Sequence, residues 1–332
     1  MSTILVTGGA GYIGSHIVRR LREVGRDVLV LDDLSEGHRR ALGDAPLVVG
    51  DFGDRTALDP LLGSGEVRFV VHMAASCLVG ESVRQPGKYY ANNFAKSLTL
   101  LEAMTRHGVQ GIVFSSSAAV YGEPTSTPII EEQPPLPTNP YGETKLAFER
   151  ALGWFGGAHG IRHVSLRYFN AAGAHPDGDL GEDHEPESHL LPNLLRGLLG
   201  GGAVTPIFGS DYPTPDGTCV RDYVHVLDLA EAHVLALRAL EAGGLRAGVF
   251  NLGNGAGFSV REVVDAVERV TGSRPPTDLA PRREGDPAVL VASSQRARRD
   301  LGWEPRHSAL DTIVESAWRW HREHPRGYAD RG

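Results

Sequence analysis

Cysteine is scarce: Cys77 and Cys219 stand far apart among 332 residues and form no Cys-x-x-Cys pattern. No disulfide framework is readable, and a reducing, cytoplasmic setting is expected. Long apolar runs are also missing; none reaches the roughly 18–20 residues that a membrane helix needs. The first residues run from Ser2 to Thr7 straight into a glycine-rich turn, with no basic segment or cleavage pattern before it. Basic excess is absent too. The net charge is −8, which argues against a general nucleic-acid binder, although local arginines can still hold a small anion.

What is present suffices for a sizeable core, since 41% of residues are apolar. Short apolar runs at Ile4–Val6, Val28–Leu31, Leu47–Val49, Phe69–Val71, Ile112–Phe114 and Val164–Leu166 read as strands buried on both faces. Amphipathic segments at Ile13–Val24, Tyr89–Arg106 and Tyr141–Phe155 lie between them. This alternation predicts an α/β fold, a Rossmann-type doubly wound parallel sheet. A helix at Asp228–Ala242 and a strand at Val249–Leu252 are expected to return to that sheet. Helices near Ser259–Thr271 and Ser308–His321 complete a smaller, mixed α/β C-terminal domain, where Trp318 and Trp320 read as packing and surface residues. The segments His175–Glu187 and Asp211–Gly217, rich in Pro, Gly and acids, are expected to be loops. The implied division is 1–170 plus 224–254 for a dinucleotide domain and 171–223 plus 255–332 for a substrate domain.

The strongest local signal is Thr7-Gly8-Gly9-Ala10-Gly11-Tyr12-Ile13-Gly14, which follows a strand and opens a helix. Glycines at Gly8, Gly11 and Gly14 let the chain turn tightly and bring backbone N–H groups to a pyrophosphate at the helix N-terminus. The second strand ends at Asp32-Asp33, where an acid takes the ribose hydroxyls and repels a 2′-phosphate, favouring NAD. Asp51 and Phe52, at the end of the third strand, are candidates for the adenine edge and face.

A second constellation lies beyond it. Asn139 and Pro140 suit the N-cap and first position of a helix, which places Tyr141 and Lys145 on one face at i and i+4. A free tyrosine has a pKa of about 10. A neighbouring ammonium and a cationic nicotinamide ring stabilise the phenolate, which makes Tyr141 a candidate general base. Ser117, at the carboxyl end of a predicted strand, could hydrogen-bond the reacting hydroxyl.

With these motifs in view, the chain resembles the UDP-hexose 4-epimerases of the extended short-chain dehydrogenase/reductase family over nearly its whole length. The matching stretches include Gly11–His16, Val79–Val83, Tyr89–Asn93, Arg167–Asn170, Gly173–Pro176, Gly181–Asp183, Phe208–Thr214, Val220–Val226 and Pro281–Asp286. The resemblance implies a tightly held NAD regenerated at each turnover, a transient 4-keto sugar and a homodimer. It gives Tyr141 the proton transfer, with Ser117 assisting and Lys145 holding the nicotinamide ribose. Along the cofactor it implies Tyr12, Ile13, Met73, Ala74, Ala75, Asn92, Ser115 and Tyr168. On the UDP-sugar it implies Asn170 and Leu190 at the diphosphate, Arg221 and Arg283 pairing with its charge, Asp286 at the uridine ribose, and Ile207 and Phe208 near the uracil.

Three positions depart from the family pattern. Cys77 stands where some members carry a lysine near the cofactor, and His189 where some carry asparagine beside the diphosphate. Val289 replaces a bulky tyrosine that excludes N-acetylated sugars, which implies some activity on UDP-N-acetylglucosamine. Ala118-Ala119 occupies the place of the Asp-Glu pair used by related dehydratases, which argues against loss of water. His184 and His189 lie five apart with Pro186 between them, so the helical zinc motif is not met and no metal is expected. Two other readings remain open: a 4-epimerase of another UDP sugar (an N-acetylhexosamine, uronic acid or pentose), and a non-catalytic NAD sensor that would not need Ser117, Tyr141 and Lys145.

Overall fold

Side chains alternate along the first strand, β1 (Thr3–Thr7), and sort the core into two faces. Ile4 and Val6 enter one hydrophobic cluster and Leu5 the other, all three fully buried. Such burial contributes about 1.5–3 kcal/mol per large aliphatic side chain. The computed structural model describes residues 2–200, 204–283 and 286–329. The remaining strands of the main sheet are β2 (Val28–Asp32), β3 (Leu47–Val49), β4 (Val67–His72), β5 (Gly111–Ser117), β6 (Arg162–Tyr168) and β7 (Ala247–Leu252). They form one seven-stranded parallel sheet in the order β7-β6-β5-β4-β1-β2-β3.

Helices cover both faces. Tyr12–Glu23 buries Ile17, Val18 and Leu21 and packs with Val226–Glu241 on the face of Ile4 and Val6. Lys96–Arg106 and Pro140–His159 bury Leu100, Met104, Phe148 and Leu152 on the face of Leu5. Order reverses at β1 and β4, so the connections after those strands leave in opposite directions and open a crevice at their carboxyl ends. The returning helix and last strand stand as expected, as do the irregular segments His175–Glu187 and Asp211–Gly217.

The helix expected from Tyr89 starts earlier, at Pro86, and passes through a π-helical turn at Tyr90–Ala95 before Lys96–Arg106. Single π turns often sit at functional sites. Here the turn presents consecutive amides to Ser76: Asn93 Nδ2 donates to the Ser76 carbonyl at 2.9 Å, and Asn92 Nδ2 to Ser76 Oγ at 3.1 Å.

A third core joins helices Leu190–Leu198, Val260–Thr271 and Leu310–Glu323. Ser259 and Glu262 form a reciprocal capping box at the start of the second of these. Short strand pairs absent from the sequence reading tie this region down: Thr205–Phe208 with Thr277–Ala280, Val220–Arg221 between Phe258–Ser259 and Val289–Leu290, and Asn170–Ala172 with Tyr223–His225. Trp320 is a packing residue rather than a surface one. It is 1% exposed and lies where a Cβ on Gly181 would approach its ring to 2.2 Å. Residues 330–332, the end of the expected second domain, lie outside the described residues, as do Glu284 and Gly285 of the 281–286 motif.

Candidate active site

The crevice deepens into a cavity of about 1120 Å³ that runs from the glycine loop to the third core. Gly8, Gly11 and Gly14 line its floor. Gly8 adopts a φ of +70°, and a Cβ there would meet the Ala74 backbone nitrogen at 2.4 Å. On Gly14 a Cβ would strike the Gly8 carbonyl at 2.2 Å, so this glycine lets the helix pack on the loop. Gly11 differs, because a Cβ there meets no protein atom nearer than 3.5 Å, leaving its open side to a ligand. It also caps Tyr12–Glu23 without a side-chain hydrogen bond, and the first turn has no acid. Orphan N–H groups and the positive end of the helix dipole are thereby available to an anion. Substituting Gly14 by Ala should abolish dinucleotide retention, checked by the absorbance of cofactor released from denatured protein.

Asp32 is buried, and its carboxylate accepts from the Ala10 and Leu34 backbone N–H groups, each at 2.9 Å. Burial pushes its pKa up, while these hydrogen bonds pull it back. It therefore braces the glycine loop while facing the cavity, with Asp33 beside it on the wall. Phe52, Met73, Ala74, Ala75, Cys77, Asn92, Tyr12 and Ile13 line the same stretch. Asp51 does not. Its carboxylate is taken by Lys96 Nζ at 2.6 Å and by the Gly53 N–H at 2.8 Å.

Ser115 and Ser117 end β5, and Tyr168 ends β6 directly opposite Ser117. Asn139 caps Pro140–His159 by accepting from the Gly142 N–H at 2.9 Å, with Pro140 in the first turn. This start aims Tyr141 and Lys145 at the strand ends. Tyr141 lies beside Ser117, whose hydroxyl acts to lower the pKa of the phenol. Ser117 Oγ also accepts from the Ala119 N–H at 3.1 Å. Lys145 Nζ donates to the Ser115 carbonyl at 2.8 Å and lies 5.8 Å from the centre of the Tyr141 ring.

The electrostatics differ from expectation at one point. Burial and the nearby Cys77 push the Tyr141 phenol well above its ordinary value, and the Ser117 hydrogen bond offsets only part of this. Lys145 alone does not create a phenolate. Burial lowers its own pKa from 10.5 to about 8, with Cys77 and Glu149 opposing that fall. Between about 8 and 10.5 the unfolded chain holds a proton here that the folded chain has released, so this residue makes stability rise with pH across that window. The corresponding penalty at neutral pH is roughly 3 kcal/mol. Thermal unfolding of Lys145→Met should lose that rise while turnover collapses.

Asn170, His189, Leu190, Phe208, Arg221, Arg283 and Asp286 line the far end. Arg221 Nη2 pairs with Asp286 Oδ1, and the Arg283 guanidinium lies 3.9 Å from the centre of the Phe208 ring. Two residues expected here are elsewhere. Ile207 points into the third core, and Val289 pairs with Val220 in a short strand, leaving Pro287 and Leu290 on the cavity wall. Alternation explains Ile207, since neighbouring residues of a strand face opposite sides.

The segment dismissed as a metal motif also lies against the cavity. Because 182–189 is a loop rather than a helix, helical spacing does not govern it. It gathers Glu182, His184, Glu187 and His189. His189 Nδ1 lies 2.8 Å from both Glu182 Oε1 and Glu187 Oε1. Burial pulls His184 down, but the two carboxylates overcome it and hold its pKa at about 10.

Comparisons with known proteins agree with this geometry. The model of the NAD dependent epimerase/dehydratase family matches residues 4–253. A UDP-glucose 4-epimerase of Halalkalibacterium halodurans is 55% identical, over 98% of this chain and 97% of that protein. The structure of UDP-glucose 4-epimerase from Brucella ovis in complex with NAD superimposes with a TM-score of 0.93 at 45% identity, covering 96% and 98% of the two chains. That of Bifidobacterium longum in complex with NAD+ and UDP gives 0.94 at 38% identity, covering 98% and 100%.

Proposed function

Since this chain belongs to the NAD dependent epimerase/dehydratase family, we propose a specific division of labour in its cavity. The chain is an NAD-dependent enzyme that inverts C4 of a UDP-hexose, interconverting UDP-galactose and UDP-glucose. The observation that supports the assignment of residues is the Lys145–Ser115 hydrogen bond, which holds the ammonium beside the Tyr141 ring and near Ser117, at strand ends that share a cavity with the glycine loop.

When bound, NAD supplies a reversible hydride acceptor and a cationic ring. The residues present fit it: Gly11 leaves an open side where the pyrophosphate would sit, Asp32 and Asp33 line the wall where a ribose would be held, and Lys145 lines the cavity beside Tyr141. Tyr141 takes the proton of the sugar 4-hydroxyl and later returns it, and Ser117 shares that hydrogen bond. The positive charge that a bound nicotinamide would add favours the phenolate of Tyr141. Asn170, Arg221, Arg283 and Asp286 hold the UDP. The hexose is then free to present either face of its 4-keto form, with His189 and the start of Leu190–Leu198 at the diphosphate. Ala118 and Ala119 offer no acid for expelling water, which favours epimerisation over dehydration within the family.

Purified protein given UDP-galactose without added nicotinamide should form UDP-glucose, resolved by proton NMR. Product only after addition of NAD would point to weak retention beside Cys77. No product under either condition would overturn the reading.

The reading also includes the two-part division at 1–170 plus 224–254 and 171–223 plus 255–332. It places the protein in the cytoplasm, in keeping with free thiols on Cys77 and Cys219, and in galactose metabolism. Among the described residues no helix is long and apolar enough to cross a membrane. A homodimer is supported by Trp154, which is 80% exposed on Pro140–His159, and by Tyr90, 44% exposed on the helix packed beside it. Trp154→Asp should shift the protein toward monomer in sedimentation velocity, and an unchanged dimer would count against this face.

A further inference from the structure

Two imidazole nitrogens and two carboxylate oxygens converge where the 182–189 loop meets the dinucleotide domain. The ligand atoms of Glu182, His184, Glu187 and His189 all lie within 4.8 Å of one another. His184 Nδ1 is 3.3 Å from Glu182 Oε1 and 3.7 Å from Glu187 Oε2, and His189 Nδ1 is 2.8 Å from Glu182 Oε1. A tetrahedral zinc site with bonds of about 2.0–2.2 Å needs ligand atoms roughly 3.3 Å apart, which is the middle of this range.

Hydrogen bonding leaves the cluster incomplete. Glu187 Oε1 accepts from the Ser188 and His189 N–H groups, each at 2.8 Å, but the other oxygen makes no hydrogen bond. That oxygen, Glu187 Oε2, is buried on a side chain only 3% exposed, and it faces His184 Nδ1, which also lacks a hydrogen-bond partner. Buried polar atoms without partners cost free energy, and here two of them point at each other across the centre of the cluster.

We propose that Glu182, His184, Glu187 and His189 form a binding site for one divalent transition-metal ion of the zinc class. Two carboxylates and two neutral imidazoles balance a charge of +2, so the occupied site is neutral where the Glu182 and Glu187 carboxylates are buried, with His189 at its more exposed edge. The donor set is that of zinc, since imidazole with carboxylate is harder than thiolate yet softer than the all-oxygen cages of calcium and magnesium. Four protein ligands close the coordination shell, which makes the ion structural rather than catalytic.

The position tells what it would hold. The His184 ring lies edge-on to Tyr12 of the glycine-loop helix at 6.3 Å, while His189 is the residue before Leu190–Leu198. Trp320 backs the loop through its indole N–H to the Glu182 carbonyl at 3.2 Å. An ion at this point would tie the 182–189 loop on the cavity wall to the start of helix Leu190–Leu198. The inference does not depend on which UDP sugar is turned over.

The test uses the full chain, stripped with a chelator and titrated with Zn2+ alone by calorimetry, with Co2+ as a second probe whose visible absorption reports tetrahedral ligands. One Zn2+ per chain should bind, and thermal unfolding should shift upward with it. His184→Ala and Glu187→Gln should each weaken Zn2+ binding by roughly 10–100-fold or more. Because His184→Ala could disturb the loop, Glu187→Gln is the decisive variant, as it keeps the shape of the side chain. His175→Ala is the control, since His175, Asp177 and Asp179 form an exposed cluster that could hold metal weakly. Failure to bind one equivalent, equal binding in the Glu187→Gln variant, or loss of binding in His175→Ala would overturn the proposal and leave a pair of buried ion pairs in its place. Epimerase turnover is not the readout, so a failure here is distinct from a failure of the assigned reaction.

Discussion

Tyr141→Phe is expected to lower turnover by about 10²–10⁴-fold while the protein keeps its fold and its NAD. The change removes one hydroxyl and nothing else. The ring retains its edge contact with Tyr89, 6.4 Å between centres, and its place beside the Lys145 ammonium. What is lost is the phenolic O–H beside Ser117, the group proposed to exchange a proton with the sugar hydroxyl. Phenylalanine cannot be rescued by the cationic ring, because it has no charge state to stabilise. Asn170, Arg221 and Asp286, the residues proposed to hold the UDP, are unchanged, so KM should change little. An effect confined to kcat is the signature of an interaction used in the transition state. Ser117→Ala should cost less, since Ser117 shares the hydrogen bond but does not carry the proton. A Tyr141→Phe protein with wild-type rates in the NMR assay would remove this residue from the chemistry.

Legibility in the sequence followed the length scale of each interaction. The five inner strands were readable because both faces are buried, whereas the edge strand Leu47–Val49 was readable only as an apolar run, since it is not buried on both faces and Val49 is 53% exposed. The glycine loop and the Asn139-Pro140 helix start were readable because their chemistry is local to a few residues. Two-residue strands such as Val220–Arg221 were not, since their pairing depends on partners far along the chain, at Phe258–Ser259 and Val289–Leu290. Asp51 was placed by its strand-end position, yet its charge is claimed by Lys96 on another element. The cluster at 182–189 was missed for the opposite reason. A helical template was applied to a segment that folds as a loop, where turns bring together side chains that helix geometry would keep apart. The raised Tyr141 pKa likewise follows from burial, which no spacing of residues reveals.

Glu149→Ala is expected to cost about 3–5 kcal/mol of stability, because it strands a buried arginine. Glu149 and Arg167 side chains are each 5% exposed and meet in a two-pronged pair, at 2.9 Å through Nε and 2.5 Å through Nη2. The same glutamate accepts from Ser116 Oγ at 2.5 Å, and Arg167 Nη1 donates to the Tyr121 hydroxyl at 2.8 Å. Tyr121 in turn donates to Asn251 Oδ1 at 2.8 Å. One helix is thus linked to β5, β6 and β7 next to Ser117. Removing the carboxylate leaves the guanidinium charged, since nothing can deprotonate it. The melting temperature should fall by roughly 4–7 °C. Turnover should fall as well, because Glu149 lies one turn beyond Lys145 and helps hold its charge against burial. If desolvation rather than lost attraction dominates, the double variant Glu149→Leu/Arg167→Met should be more stable than Glu149→Ala alone. It should nonetheless recover little activity, because an apolar pair restores packing but not the field that keeps Lys145 protonated. Stability regained without activity would assign this network to the electrostatics of the site, whereas recovery of both would make it a matter of packing.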